Sequence, residues 1–287
     1  MITVDAYAKI NLFLDIEWRR SDGFHDIVSV MQTVSLCDTV TLERAESGIE
    51  VENAIGIETE RDLAYRAAAA FFAEFGEGGV RINVEKHIPM GAGLAGGSAD
   101  AAAVLRGLNE LYRHPFTDER LAEIGLTLGS DVPFCVIGGT KLTRGRGEKM
   151  TDIAPMPDCP LVVAIGDDHV STPAQFAELD RRFGNFTDRK PELDRLSEIE
   201  KAFADGSTDI GNSLYNIFEI TGRFSPEIKE TMIANGARGT LMSGSGSSVF
   251  GIFADDADAK KAADELIKHG YRAFVCRPTN RNLKVFS

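Results

Sequence analysis

The sequence predicts an α+β protein with two lobes, and three observations support this fold class. The chain has 287 residues, of which 43% are hydrophobic, and a single hydrophobic core stops growing near about 250 to 300 residues. Strand-like runs stand on both sides of helical segments, and residues 239–276 have the order strand, glycine loop, strand, helix, strand, which is typical of an α/β sandwich. Residues 153–160 contain three prolines, so we expect a crossover there, with one domain over 1–154 and another over 155–287.

The N-terminal segment has the pattern of a strand. Ala8, Ile10 and Leu12 alternate with Lys9 and Asn11, and this period of two is typical of a half-buried strand. Lys9 and Asn11 are therefore expected on the face opposite the apolar side chains. Further strands are predicted over residues 29–36, 38–43, 80–86 and 161–165, and an alanine-rich helix over 62–75.

Two helices are predicted in succession near the middle of the chain. From residue 98 to residue 113 apolar side chains recur at steps of three and four, which indicates an amphipathic helix. Pro115 ends this pattern, and Thr117 is the expected N-cap of a second helix that runs to about Leu128. A dinucleotide-binding fold would need a strand in place of the second helix.

The charge of the chain excludes one class of partner. There are 31 Lys and Arg residues against 44 Asp and Glu residues, which gives a net charge of -13. Such a surface repels a nucleic-acid backbone, so we expect no nucleic-acid partner. An anionic small molecule can still bind where backbone amides or a few cations reverse the field locally.

The cysteines and the N-terminus predict the compartment. Four cysteines, Cys37, Cys135, Cys159 and Cys276, are scattered without a close pair, and we interpret them as reduced core thiols. The N-terminus has no basic flank followed by an apolar stretch, and no run approaches the roughly 18 apolar residues of a membrane span. We therefore expect a cytoplasmic protein without a membrane partner.

A glycine-rich loop joins a predicted strand to the first of the two helices. Its sequence is Pro89-Met90-Gly91-Ala92-Gly93-Leu94-Ala95-Gly96-Gly97-Ser98. Without Cβ atoms the backbone can approach a phosphate closely, and the helix N-terminus adds a partial positive charge. The loop therefore predicts an anion site.

Three other interpretations of this loop are weaker. The spacing Gly91-x-Gly93-x-x-Gly96 also fits the dinucleotide fingerprint, but that fold needs a second parallel strand after the helix, and here a second helix follows with Asp118 in its first turn. The P-loop of other nucleotide hydrolases is excluded because Gly-Lys-Ser/Thr is missing. A merely structural turn is disfavoured by the number of glycines.

The loop, with Ala99-Asp100-Ala101-Ala102 after it, resembles the phosphate-binding signature of the GHMP kinases, a superfamily of small-molecule kinases. Ala8-Lys9-Ile10-Asn11-Leu12 and Ser243-Gly244-Ser245-Gly246-Ser247-Ser248-Val249-Phe250 are similar to that superfamily's first and third motifs, in the expected order. The resemblance implies an N-terminal ATP-binding and catalytic lobe, a C-terminal ferredoxin-like lobe that binds substrate, and ATP with Mg²⁺ as cofactors. The ATP-binding residues it implies are Pro89, Met90, Gly91, Ala92, Gly93, Leu94, Ala95, Gly96, Gly97, Ser98 and Ala99.

Three further segments resemble a subset of this superfamily. They are Ser21-Asp22-Gly23-Phe24-His25, Leu128-Gly129-Ser130-Asp131-Val132-Pro133-Phe134 and Thr172-Pro173-Ala174-Gln175-Phe176. The subset phosphorylates the C2 hydroxyl of a cytidine diphosphate-linked methylerythritol on the non-mevalonate route to isoprenoid precursors. Phe24 stands where these kinases often have tyrosine, and it keeps the ring that stacks on cytosine. Residues 206–216 match only loosely, and no catalytic role is carried over from them.

Two residues are candidates for catalysis. The resemblance implies that Asp131 is the general base on the acceptor hydroxyl, the one group that phosphoryl transfer needs besides positioning and charge neutralisation; an N-cap role is the alternative. It implies that Lys9 orients Asp131 and offsets charge on the transferred phosphoryl group, and a solvated surface lysine is the alternative.

The remaining candidates bind ligands. Asn11 is expected to donate or accept hydrogen bonds beside Lys9, and Phe24, His25 and Phe176 to hold the cytosine, although Phe176 taken alone fits a core position equally well. Ser98 has a hydroxyl for a phosphate or magnesium or for a helix cap, and no magnesium ligand is assigned. Residues 243–247 are expected to close the pocket, with a hairpin turn as the alternative.

Three functions stay open at this point. The first is phosphorylation of the cytidine-linked acceptor, the second is a kinase of the same fold for homoserine or mevalonate, and the third is a non-catalytic sensor. The sequence is compatible with a monomer or a weak homodimer.

Overall fold

A computed structural model describes residues 1–53, 61–166, 171–221, 224–279 and 284–286. Its strands are β1 (Ile2–Arg19), β2 (His25–Ala45), β3 (Gly48–Asn53), β4 (Gly79–Glu85), β5 (Thr140–Gly145), β6 (Lys149–Asp152), β7 (Leu161–Ile165), β8 (Tyr215–Asn216), β9 (Gly239–Met242), β10 (Val249–Ile252), β11 (Arg272–Cys276) and β12 (Lys284–Phe286). Its helices are α1 (Leu63–Phe75), α2 (Gly96–Leu111), α3 (Asp118–Leu126), α4 (Val132–Ile137), α5 (Thr172–Phe183), α6 (Leu193–Ala204), α7 (Pro226–Ala234) and α8 (Asp256–Lys268). A 3₁₀ helix covers Ile217–Thr221.

The larger sheet has eight strands around a long antiparallel pair, β1 and β2. Its order is β12-β1-β2-β4-β3, with β5 also on β2, β6 on β5 and β8 on β1. The strands predicted over 29–36 and 38–43 are parts of the single strand β2. The predicted break between these two runs is wrong: Asp38 lies buried within the strand and accepts hydrogen bonds from Lys86 and from the Ile88 backbone N–H.

Strand β1 is buried on both faces over its central part. Ala8, Ile10 and Leu12 are fully buried on one face. Lys9 and Asn11 are almost fully buried on the other. Helix α2 packs against β1 and β2, while the backbone of the glycine-rich loop bonds to β1 through the Lys9 N–H and the Leu94 carbonyl at 3.1 Å. The predicted strand is therefore confirmed, but it is more deeply buried than its alternating pattern indicates.

The helices lie close to their predicted positions. Asp62 caps α1 by accepting from the Ala64 N–H, and Thr117 caps α3 by accepting from the Arg120 N–H. Helix α2 begins at Gly96, two residues before the predicted start, so the last two glycines of the loop belong to its first turn. A second helix follows α2 where a dinucleotide-binding unit would have a strand, and this excludes the dinucleotide alternative.

The smaller sheet contains four antiparallel strands in the order β11-β7-β10-β9. Numbered along the chain, this order is fourth, first, third, second, with α8 crossing from β10 to β11, which is the ferredoxin-like arrangement. One face, with Val162 and Val249, packs against α7 and α8, and the other, with Val163 and Phe250, joins the core of the larger sheet. The predicted α+β fold with a ferredoxin-like C-terminal unit is confirmed.

Strands from beyond residue 155 complete the larger sheet, because β8 and β12 both pair with β1. The boundary between 154 and 155 stays a prediction. All four cysteines are free thiols, and three of them are buried. Within the described ranges, the helices are too short or too polar to cross a bilayer.

Candidate active site

One cleft of about 740 Å³ brings most of the predicted site residues together. Its walls come from β1, the turn before β2, the start of α2, the loop before α4, the β5–β6 hairpin, α5 and the loop after β9. The predicted residues that line it are Lys9, Asn11, Phe24, His25, Pro89, Gly91, Ala92, Gly93, Leu94, Ala95, Gly96, Gly97, Ser98, Asp131 and Phe176. Met90 lines a neighbouring cleft instead, and Ala99 is fully buried and lines neither.

The glycine-rich loop, residues 89–98, touches the serine-glycine loop, residues 243–248, backbone to backbone. Gly93 has a φ of +78°, and a Cβ on it would lie 2.2 Å from the Ser243 carbonyl oxygen. The Ser243 hydroxyl donates to the Gly93 carbonyl at 3.1 Å, and the Ser248 N–H donates to the Ala92 carbonyl at 3.1 Å. Only glycine allows this approach at position 93.

The start of α2 offers unpaired backbone donors. The N–H groups in the first turn of a helix have no intrahelical partner, and here they belong to Gly96, Gly97 and Ser98. Ala95 takes the N-cap position in a left-handed conformation and makes no side-chain cap, so nothing local satisfies these donors from the N-cap. The helix dipole adds to their attraction for an anion. The Ala99 N–H already donates to the Ala95 carbonyl at 2.9 Å.

Lys9 is the buried cation of the cleft, with only 4% of its surface exposed. Its ammonium donates to Asn11 Oδ1 at 2.7 Å and lies 4.0 Å from Asp131 Oδ2. The Asn11 amide donates in turn to the Ser29 hydroxyl at 2.9 Å, which fixes the orientation of Asn11. The alternative of a solvated surface lysine is wrong.

Asp131 stands at the N-cap position of α4, yet its side chain makes no capping hydrogen bond. The side chain is 35% exposed and faces the cleft beside Lys9. The carboxylate is therefore available to a ligand. Asp131 occupies the N-cap position, but it does not cap the helix with its side chain.

Aromatic side chains form the far end of the cleft. The His25 and Phe176 rings stack with centroids 4.5 Å apart and planes 15° apart, and His25 Nε2 lies 2.7 Å from Asp180 Oδ1. Phe24 is 48% exposed, and the Arg146 guanidinium lies over its ring at 3.9 Å from the centroid. This end offers ring faces and polar edges, the requirements of a flat heterocyclic base.

A buried ionic cluster lies behind the glycine-rich loop, beside a second cleft of about 270 Å³. The Lys86 ammonium donates to Asp100 Oδ2 at 2.5 Å and also to Asp38. Burial raises the pKa of Asp100 to about 7, with the Asp38 carboxylate acting in the same direction and Lys86 opposing them. Asp100 Oδ1 is buried and has no hydrogen-bond partner among the described residues.

Comparison with known proteins decides the family. Residues 62–139 match the GHMP kinases N terminal domain, and residues 191–272 match the GHMP kinases C terminal family. A 4-diphosphocytidyl-2-C-methyl-D-erythritol kinase of Moorella thermoacetica is 42% identical over 93% of this chain and 95% of its own length. This chain belongs to the GHMP kinases, in the 4-diphosphocytidyl-2-C-methyl-D-erythritol kinase family.

Solved structures agree with this membership. A crystal structure of 4-(cytidine 5'-diphospho)-2C-methyl-D-erythritol kinase superposes with a TM-score of 0.78 at 36% identity, covering 97% of this chain and all of that one. A homoserine kinase from Cytophaga hutchinsonii has a TM-score of 0.74 at 17% identity, covering 100% of this chain and 97% of that one, which shows a shared fold alone. As a member of the GHMP kinases, this protein is a small-molecule kinase that uses ATP.

The structure of this kinase adds residues that the sequence did not single out. Asp180 lies one helical turn after Phe176 in α5, and this spacing of four was an available signal. Arg146 stands between two glycines in a hairpin turn, and this pair of flanking glycines was a weaker signal. The Asn216 amide donates to the Met242 and Gly244 carbonyls at 2.7 and 2.8 Å, and it lies in the segment from which no role was carried over.

Proposed function

We propose that this kinase transfers the γ-phosphoryl group of ATP to the C2 hydroxyl of 4-diphosphocytidyl-2-C-methyl-D-erythritol. The observation that carries the proposal is that one cleft holds the unpaired amides at the start of α2, the Lys9 and Asp131 pair, and the aromatic end at Phe24 and His25. These three parts correspond to the phosphates of the donor, the reacting hydroxyl and a base on the acceptor. The name of the relatives at 42% identity supports the same substrate.

The donor phosphates are assigned to the glycine-rich loop and the first turn of α2. Backbone N–H groups hold phosphate oxygens at fixed positions, and the helix dipole favours their negative charge. Because the chain is strongly acidic overall, this local array of donors has to supply the attraction.

Lys9 and Asp131 are assigned to the chemical step. The Lys9 ammonium lies 4.0 Å from the Asp131 carboxylate and helps to orient it, so Asp131 can accept the proton of the acceptor hydroxyl as its oxygen attacks the γ-phosphorus and ADP leaves. Lys9 neutralises part of the charge on the transferred group, and its near-complete burial strengthens that interaction.

Mg²⁺ fits this site as an ion that arrives with ATP. Among the described residues, no group of three or more His, Cys, Asp or Glu side chains is arranged to hold a metal, and Mg²⁺ characteristically keeps water and phosphate ligands beside one or two protein oxygens. The Ser98 hydroxyl, at the edge of the cleft, is the protein oxygen that we assign to it. When bound, the ion would neutralise phosphate charge.

The cytosine is assigned to Phe24, His25 and Phe176. The imidazole of His25 is held by Asp180 on one side and by the Phe176 ring on its face, so its orientation is fixed before a ligand arrives. A base bound here would stack on exposed ring surface and find hydrogen-bond partners at His25.

The test is a panel of acceptors incubated with the protein, Mg²⁺ and ATP labelled in its γ-phosphate. We expect label transfer to 4-diphosphocytidyl-2-C-methyl-D-erythritol, and little to homoserine, mevalonate or methylerythritol without the cytidine diphosphate. Preference for homoserine or mevalonate would reject the proposed acceptor, and no transfer to any alcohol would favour a sensor.

The same assay tests the chemical step with Asp131→Asn. A general base contributes roughly 100-fold or more to turnover, so the variant should lose at least that factor while ATP affinity, measured by calorimetry, stays nearly unchanged. Asp152→Asn, which removes a carboxylate whose side chain is 87% exposed, is the matched control. Unchanged turnover in Asp131→Asn would remove this residue from the mechanism.

A further inference from the structure

Arg146 occupies a particular place between the two ends of the acceptor site. Its guanidinium lies over the Phe24 ring at 3.9 Å from the centroid, and its Nη2 donates to the Ser130 hydroxyl at 3.1 Å. Ser130 directly precedes Asp131. The cation therefore bridges the aromatic end, where a base is expected, and the loop that carries the proposed general base.

The hydrogen-bonding capacity of Arg146 is not used up within the protein. Its Nε is buried and has no hydrogen-bond partner among the described residues, and no carboxylate in the described ranges forms an ion pair with it. The nearby Asp22 is engaged by Arg20, at 2.9 Å between Nη2 and Oδ2. A buried donor without a partner is costly, so a ligand that supplies an acceptor gains from this group.

The backbone of the turn that carries Arg146 is fixed by local structure. Gly145 and Gly147 on either side have φ values of +72° and +112°, and the Arg146 backbone N–H donates to the Glu148 carboxylate at 2.5 Å. A side chain on a fixed turn loses less entropy when it binds an anion.

We propose that Arg146 binds the diphosphate of the acceptor and so makes this kinase select a nucleoside diphosphate-linked alcohol over the free alcohol. The inference rests on the proposed function, in which the diphosphate joins the cytidine at Phe24 to the methylerythritol at Asp131. A guanidinium between these two points meets that diphosphate, and its planar set of donors matches phosphate oxygens.

The test compares binding of CDP and of cytidine by calorimetry, with Mg²⁺ and a non-hydrolysable ATP analogue present to occupy the donor site. The wild-type protein should bind CDP at least about tenfold more tightly than cytidine. Arg146→Gln should lower the affinity for CDP by about 10- to 100-fold, the range of a lost charge-assisted hydrogen bond, and leave that for cytidine within about threefold. The affinity of Arg146→Lys for CDP should lie between those of the wild-type protein and Arg146→Gln, because lysine keeps the charge but lacks the planar set of donors of a guanidinium.

Arg144→Gln is the matched control. It removes the same charge two residues away, where the guanidinium pairs with Glu17 outside the cleft, and it should leave both affinities unchanged. Thermal unfolding and affinity for the ATP analogue show that each variant is folded.

Two results would overturn the inference. If Arg146→Gln lowers the affinities for CDP and for cytidine by the same factor, the guanidinium only supports the Phe24 ring. If the variant still prefers CDP as strongly as the wild-type protein does, another group holds the diphosphate. Failure of the wild-type protein to phosphorylate the cytidine-linked acceptor would instead reject the proposed function, and the comparison of CDP with cytidine would still decide the role of Arg146.

Discussion

Lys9 is a charged side chain in the interior of the protein, a position that is costly unless the charge is paired and hydrogen-bonded. An ammonium has three donors. One goes to Asn11, and Asp131 lies within ion-pair distance, which leaves donor capacity for an anion in the cleft that Lys9 lines. Burial at this residue therefore serves binding, and stability is maintained by the neighbouring polar groups.

Asp100 gives a prediction about pH. A pKa near 7 in the folded protein, against 3.8 as the ordinary value, means that the folded protein binds this proton more tightly than the unfolded chain, so ionisation lowers stability as pH rises from about 4 to about 7. The side chain of Asp100→Asn cannot ionise, so the variant lacks this decrease of stability with pH. Between pH 5 and pH 8 the free energy of unfolding of the wild-type protein should fall relative to that of the variant by about 1 to 3 kcal/mol, measured by urea unfolding. Parallel pH profiles for the two proteins would contradict this prediction.

At the scale of single residues, the sequence predicts those parts of the site that lie within contiguous motifs. Lys9 and Asn11 follow from a strand pattern and a motif, and the glycines of residues 89–98 from the geometry of phosphate binding. The pairing of Asp180 with His25 and that of Arg146 with Phe24 could not be predicted, because each spans more than 100 positions of the chain. Such pairs depend on how turns meet in space, and spacing along one chain does not contain that information.

At the scale of elements, the site is made by two loops held on one strand. The Lys9 N–H donates to the Leu94 carbonyl of the glycine-rich loop, and the Asn11 N–H donates to the Ser243 hydroxyl oxygen of the serine-glycine loop at 3.3 Å. Helix α5 is tied to the same second loop through Thr172 and Ser245, whose hydroxyls lie 2.7 Å apart. Strand β1 thus sets the separation of the two loops.

Gly93→Ala tests this arrangement. Alanine at a positive φ costs about 1 to 2 kcal/mol, and a Cβ that overlaps the Ser243 backbone adds about 1 to 3 kcal/mol, because backbone on both sides has to move. Gly48→Ala is the control, since Gly48 has a φ of +83° with nothing within 4 Å of its Cβ position. Chemical denaturation should show the larger loss for Gly93→Ala, and calorimetry should show weaker ATP binding in that variant alone. Equal losses would mean that the loops do not depend on their close contact.

Element boundaries show where local patterns stop being sufficient. The order of strands and helices in residues 239–276 is as predicted, because alternation and helical periodicity are local properties. Helix α2 starts at Gly96, earlier than its polar first residue indicates, and the two glycines of its first turn pack where a larger side chain would meet Ile88 or Leu63. Strand β2 continues through Asp38 because partners distant in sequence satisfy that carboxylate.

At the scale of the whole molecule, the two sheets share one hydrophobic core. Val163 and Phe250 of the smaller sheet belong to the same buried cluster as Ile10 and Leu12 of the larger one, and β8 and β12 return to pair with β1. The sequence predicted two units, but it did not predict that C-terminal strands join the larger sheet, because pairing over such distances leaves no local pattern in the sequence.

The shared core predicts a single cooperative unfolding transition. Trp18, the one tryptophan of the chain, lies in β1 and reports on the larger sheet through its fluorescence, whereas far-UV circular dichroism reports on both sheets and all helices. In guanidinium chloride the two signals should follow the same curve, the test for two-state unfolding. Separate midpoints would show that the smaller sheet unfolds on its own.

The contact between Gly93 and Ser243 also restricts how the protein can be recombined with its relatives. In a chimera that takes its C-terminal half from another kinase, the incoming loop has to pass Gly93 of the N-terminal half at the same backbone distance. The first residue of that loop also has to carry a hydroxyl. Matching that single crossing point should matter more for obtaining an active hybrid than overall sequence similarity between the two parents.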